Sequence, residues 1–166
     1  MISIVWHNGE VPKNLKTRQV YGVVFTEDGR MLLKVENKKD GRKIYSLAGG
    51  TPEDFDADRI ATLRREFVEE VNTELGENVF LVGYQTISGD GPDYAQVRMT
   101  ALIKDIHEKS PDPDNGRTFD RLLTSPQRAI ELLNWVSGDK LINSACEIEK
   151  KEFNLTFENC LPDEYV

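Results

Sequence analysis

The chain predicts a mixed α/β domain, and three observations carry that prediction. β-Branched and aromatic runs bounded by turn residues fill the first part, as in Arg18–Thr26 and Met31–Glu36. An amphipathic segment follows, in which Ile60, Leu63, Phe67, Val71 and Leu75 form one apolar stripe at helical spacing. The C-terminal part returns to helix signals, opening at Ser125-Pro126. With 166 residues, 39% hydrophobic and 30% charged, the chain suits one domain spanning 1–166.

Taken in order, Ile2–Trp6 is a candidate short strand and Arg18–Thr26 a full one. Glu27-Asp28-Gly29-Arg30 signals a hairpin turn, and Met31–Glu36 returns as its second strand. The polar, basic loop 37–43 leads to the strand Ile44–Leu47, which ends at the glycine pair Gly49-Gly50. After the amphipathic helix, Val79–Gln85 is a strand and 87–93 a loop. Tyr94–Ile106 is the longest strand candidate. Its alternation places Tyr94, Gln96, Arg98 and Thr100 on one side and Ala95, Val97, Met99 and Ala101 on the other. The turn residues of 109–117 precede a second helix, capped by Ser125 and continuing its apolar face through Leu132, Leu133 and Trp135 to a stop at Ser137-Gly138. Lys140–Phe153 reads as a third helix, and the tail to Val166 as weakly structured.

Net charge narrows the function. At −8 the chain is ill suited to broad electrostatic binding of DNA or RNA. No apolar run reaches membrane-spanning length, and the first residues lack signal-peptide character. Cys146 and Cys160 have no metal-like spacing, so reduced thiols and a cytoplasmic location are the expectation.

Chemistry concentrates between Gly49 and Thr73. On a helix, Glu66 and Glu70 are i,i+4 neighbours and Glu69 lies one turn from Glu66, so three carboxylates share adjacent turns. Such stacking costs about 0.2–0.5 kcal/mol per pair. A hard divalent cation converts that repulsion into coordination. The plainer reading is a solvated acidic face steadied by Arg65. The preceding glycine pair favours the metal reading, because glycine permits close backbone approach of a carbonyl to the same ion.

Here the sequence resembles the Nudix (MutT-like) hydrolases, whose box reads G-x5-E-x7-R-E-U-x-E-E-x-G-U, with U a bulky apolar residue. The match lies at Gly50 and at Arg65-Glu66-Phe67-Val68-Glu69-Glu70, within a box spanning 50–73. Three departures stand out. Asp56 occupies the position of the box glutamate, eight residues rather than seven separate it from Arg65, and Asn72-Thr73 replace the final glycine and apolar residue. Asparagine is the next-best residue for a left-handed helix end. The extra residue has two explanations: either the helix start absorbs it and Asp56 or Asp58 still braces Arg65, or the brace is lost.

The resemblance implies an α/β/α sandwich with a mixed central sheet. It also implies a hydrolase that cleaves a nucleoside diphosphate linked to another moiety, using Mg2+ or Mn2+. Carried over, Glu66, Glu69 and Glu70 are the metal carboxylates, the Gly49 carbonyl completes the set, and Arg65 orients the cluster. Glu69 is the favoured general base, with Asp90 and Asp93 as alternatives. Arg42, Lys43 and Arg98 are candidate phosphate contacts and Tyr45 or Tyr94 candidate base platforms, against the plainer reading of solvated basic residues and packed tyrosines. Expected partners are a small nucleotide-derived substrate and, as a further candidate, a second copy of the chain, but neither a nucleic-acid polymer nor a membrane. A non-catalytic nucleotide-binding sensor or scaffold is the alternative function.

Overall fold

The computed structural model describes residues 1–166. Strands β1 (Ser3–Asn8), β2 (Lys16–Phe25), β3 (Met31–Asn37), β4 (Lys43–Ser46) and the two-residue β5 (Gly49–Gly50) precede helix α1 (Arg59–Val71). Then come β6 (Thr73–Gly89), β7 (Gly91–Ile106), β8 (Asp120–Thr124), α2 (Pro126–Leu133), α3 (Gly138–Phe153) and β9 (Glu164–Tyr165). All nine strands join one sheet in the order β1-β6-β7-β2-β3-β8-β9, with β4 on β3 and β5 on β2. β2 and β7 run parallel and the remaining pairs antiparallel, so the sheet is mixed.

Helices cover both faces. Leu63, Phe67 and Val71 of α1 pack on Val20, Val24, Leu32, Val97 and Met99. On the other face, Ala129 and Leu133 of α2 and Leu141, Ile142 and Ala145 of α3 pack on Val23, Phe25, Leu33 and Val35. Alternation along β7 sorts Ala95, Val97, Met99 and Ala101 toward α1, as the sequence pattern predicted. The approach of α1 is close. A Cβ at Gly22 would stand 2.6 Å from the Phe67 ring, so the helix depends on a bare backbone there.

One feature of the topology builds the site. β2 and β3 pair only at Phe25 and Met31, next to their turn, and then diverge. The gap is filled by the segment after β4: Gly22 N–H donates to the Ala48 carbonyl, and Gly49 and Gly50 pair with Tyr21 and Val20. The glycine pair is thereby inserted beneath α1. Gly49 has φ +148°, and a Cβ there would meet the Val20 carbonyl at 2.1 Å.

Helix ends follow their capping residues. Asp58 accepts from Ala61 N–H at the start of α1, and Asn72 closes it at φ 49°, the left-handed geometry expected of that replacement. Leu75, which the sequence stripe assigned to the helix, belongs to β6 because Asn72 ends the helix first. The 87–93 stretch is not an open loop: β6 and β7 continue to Gly89 and Gly91 on either side of a tight turn. The tail is also ordered differently from expectation. β9 pairs with Leu122 and Leu123 of β8, and Arg30 binds both the Pro162 carbonyl and Glu164. Trp135 lies beyond the end of α2, because Asn134 at φ 49° stops that helix.

Candidate active site

α1 carries the acidic cluster, and its position over β5 fixes where each carboxylate points. Glu66, nearly buried, lies directly over Gly50, where a Cβ would stand 2.4 Å from its carboxylate. Gly49 N–H donates to Glu70 Oε2 at 3.0 Å, and Lys34 Nζ of β3 donates to Glu70 Oε1 at 2.7 Å. Glu69 Oε2 and Glu66 Oε1 both accept from Arg65 Nη1, at 3.1 and 2.9 Å.

Arg65 is held from the other side by Asp56. Its Nε meets Asp56 Oδ1 at 3.1 Å and its Nη2 meets Oδ2 at 2.9 Å, a two-point fork, while Nη2 also donates to the Thr51 carbonyl. Asp56, and not Asp58, therefore supplies the brace; Asp58 caps the helix instead. The extra box residue is absorbed in the loop before Arg59. Asp56 also accepts from Glu53 N–H and the Thr62 hydroxyl. The Arg65 contact, with those bonds, holds its carboxyl well below the usual range, and the same fork raises the Arg65 pKa.

Glu66 behaves oppositely. Burial pushes its carboxyl up to about 7 against the pull of Arg65, and the neighbouring Glu70 and Glu69 charges push the same way. Three carboxylates with too little positive charge are an oxygen donor set suited to a hard divalent cation. Glu66 and Glu69 each leave one oxygen without a hydrogen-bond partner, whereas both oxygens of Glu70 are engaged. The three do not converge closely enough to enclose an ion in this arrangement. The donor chemistry fits a cation, and Lys34 stands where it competes for Glu70.

On the opposite sheet face, a cleft of about 420 Å³ opens beside β5, lined among others by Tyr21, Lys34, Gln85, Gln96, Arg98 and Trp135. Arg98 is 2% exposed, yet no carboxylate lines the cleft to pair with it. Its Nη2 donates to Gln85 Oε1 at 2.8 Å and Gln96 Oε1 at 3.2 Å, and the guanidinium sits 4.7 Å from the Tyr21 ring centroid. Burial lowers its pKa to about 10, which leaves it charged at neutral pH.

The other sequence candidates fall elsewhere. Arg42 is exposed in the β3–β4 turn and bound to Asp40, and Tyr45 faces Tyr165 of β9; neither lines the cleft. Lys43 Nζ donates to the Tyr165 hydroxyl. Asp90 and Asp93 are exposed at the β6–β7 turn and make no hydrogen bond to the acidic helix. Sequence reasoning overlooked Lys34, Tyr21, Gln85 and the cleft position of Trp135. A signal existed for Lys34, the one cation of the otherwise apolar start of β3.

Comparison with known proteins identifies the family and the fold. The family model described as NUDIX domain matches residues 15–146, and the chain belongs to the Nudix hydrolase family. No curated protein matches it in sequence. Among solved structures, a NUDIX hydrolase from Nitrosomonas europaea is similar at TM-score 0.58 and 17% identity, covering 80% of this chain and 90% of that one. An Ap4A hydrolase from C. elegans aligns at TM-score 0.56 and 11% identity, over 81% of this chain and 98% of that one. A pyrophosphohydrolase from Bacillus subtilis aligns at TM-score 0.52 and 16% identity, over 63% and 62% of the two chains. At these identities the likeness is one of fold.

Proposed function

We propose that the protein is a metal-dependent hydrolase that cleaves a phosphoanhydride bond in a nucleoside diphosphate linked to another moiety. The observation that carries this reading is the acidic cluster of α1 folded against the glycine pair, with Arg65 locked to Asp56. Glu66, Glu69 and Glu70, with the Gly49 backbone, would hold Mg2+ or Mn2+. When bound, the cation supplies charge neutralisation at the phosphate oxygens and a lowered pKa for water.

The chain's own residues do the remaining work. Arg65 touches two of the carboxylates but is anchored by Asp56, so it orients them without leaving its post. Glu69 is assigned as the general base: one of its oxygens is fixed by Arg65 and the other is free to accept a proton. The cleft beside β5, with Arg98 and Trp135 in its lining, would take the nucleoside end of the substrate. Structures of similar fold include an Ap4A hydrolase and a pyrophosphohydrolase, and this substrate class is in keeping with both.

Lys34, bound to Glu70, favours a second reading: a nucleotide-binding domain without turnover. One experiment separates the two. The protein is incubated with nucleoside triphosphates, dinucleoside polyphosphates and nucleotide sugars plus Mg2+, and the products are identified. A nucleoside monophosphate released only in the presence of metal supports the hydrolase. Tight nucleotide binding without any product supports the sensor.

A further inference from the structure

The cleft over Arg98 is one-sided in its hydrogen bonding. A guanidinium can only donate, so the two amides that contact Arg98 Nη2 must turn their oxygens toward it. That fixes the rest. Gln96 passes its NH2 group to Gln19 Oε1, and Gln85 is left with a free NH2 group as its cleft-facing end. Arg98 itself is not satisfied: its Nε–H has no partner, and its Nη1 makes only a 3.4 Å contact to the Val97 carbonyl. The groups left over on buried Arg98 and Gln85 are donors, and no carboxylate lines the cleft to receive them. Ser46 and Asn134 can donate or accept and therefore do not discriminate.

The surroundings describe the shape of the missing acceptor. Tyr21 stacks on one side of the guanidinium and Trp135 stands over it at 5.8 Å, half-buried, so the acceptor arrives among aromatic planes. Charge on the guanidinium strengthens any bond to a carbonyl oxygen. An amino group brought to the same place would set donor against donor and leave both unpaired.

We propose that this cleft selects nucleobases that present a ring carbonyl, 6-oxopurine or 4-oxopyrimidine, over their 6-amino and 4-amino counterparts, with Arg98 and Gln85 reading the oxygen. The inference takes its ligand class from the nucleotide-hydrolase reading and adds the base. Discrimination by one well-placed donor set is worth about tenfold or more between matching and mismatching bases.

The test is calorimetry of the full chain with GMP, UMP, AMP and CMP, together with turnover of GDP-, UDP-, ADP- and CDP-linked substrates under Mg2+. GMP and UMP should bind about tenfold or more tightly than AMP and CMP. Arg98→Met should abolish that difference, and Gln85→Leu should reduce it even if the first variant folds poorly. Ribose 5-phosphate should not displace GMP. Equal affinity for all four bases, no binding of any of them, or displacement by ribose 5-phosphate overturns the inference. The two readings fail separately. Hydrolysis that is indifferent to the base removes the specificity and leaves the hydrolase, whereas preferential binding of GMP and UMP without turnover does the reverse.

Discussion

Glu66→Gln tests the electrostatics of the acidic helix without any substrate. Glu66 is 8% exposed, and its carboxyl is pushed from 4.5 up to about 7, chiefly by burial and further by the Glu70 and Glu69 charges. The sign follows from proton uptake. Below pH 4.5 the group is protonated in both the folded and unfolded chains and contributes no pH dependence. Between 4.5 and about 7 the unfolded chain gives up its proton while the folded chain keeps it, so stability falls as pH rises, and above 7 the loss is complete. The interval corresponds to about 3 kcal/mol. Glutamine cannot ionise, and its side-chain oxygen can still accept from Arg65. Denaturant unfolding with chelator present, from about pH 4 to pH 8, should show the variant gaining about 3 kcal/mol on the wild type across the range. Curves that stay parallel would refute the claim that Glu66 is held protonated by its burial. Adding Mg2+ at pH 8 should lift the wild type well above its chelated state and affect the variant less.

Two further experiments probe the geometry around that helix. Gly50→Ala places a methyl 2.4 Å from the Glu66 carboxylate, a flexible end that can swing aside, so circular dichroism should stay native while metal-dependent turnover drops by about tenfold or more. In a double-mutant cycle, Arg65→Ala and Asp56→Ala should couple by at least 1 kcal/mol or so, since they form a two-point fork with Asp56 almost wholly enclosed. Arg65→Ala and Asp58→Ala should be additive, because Asp58 serves the helix cap alone. Additivity in the first pair would mean that the brace contributes no stability.

How much was legible in the sequence depended on whether a feature was local. The α1 helix, its stop at Asn72 and the tie between Arg65 and an upstream aspartate arise within one stretch, where i,i+4 spacing and capping chemistry decide the outcome. The sides of β7 were legible for the same reason, since alternation is a property of one strand. Which polar residues of that strand meet partners was not. Gln85 reaches Arg98 through antiparallel pairing, Tyr21 through the parallel β2–β7 pair, and Trp135 from beyond the end of α2, and none of these is encoded in neighbouring residues. β8 and β9 escaped notice because each is short, and both are strands only by virtue of partners far away along the chain. The split between β2 and β3, which carries Gly49 and Gly50 under the helix, was equally invisible in a sequence that signals only a hairpin.

The assignment of hydrolysis to the acidic helix is tested most directly by turnover of the best panel substrate with Mg2+, with chelator, and with Glu69→Gln and Glu70→Gln. Chelation should abolish product formation. Each substitution should lower kcat by about a hundredfold or more. The unfolding midpoint of Glu69→Gln should hold, because the amide oxygen can still accept from Arg65, whereas that of Glu70→Gln should fall, because both Glu70 oxygens accept from donors and the Lys34 ion pair is lost. Unchanged turnover in chelator, or in both glutamine variants, would contradict the assignment.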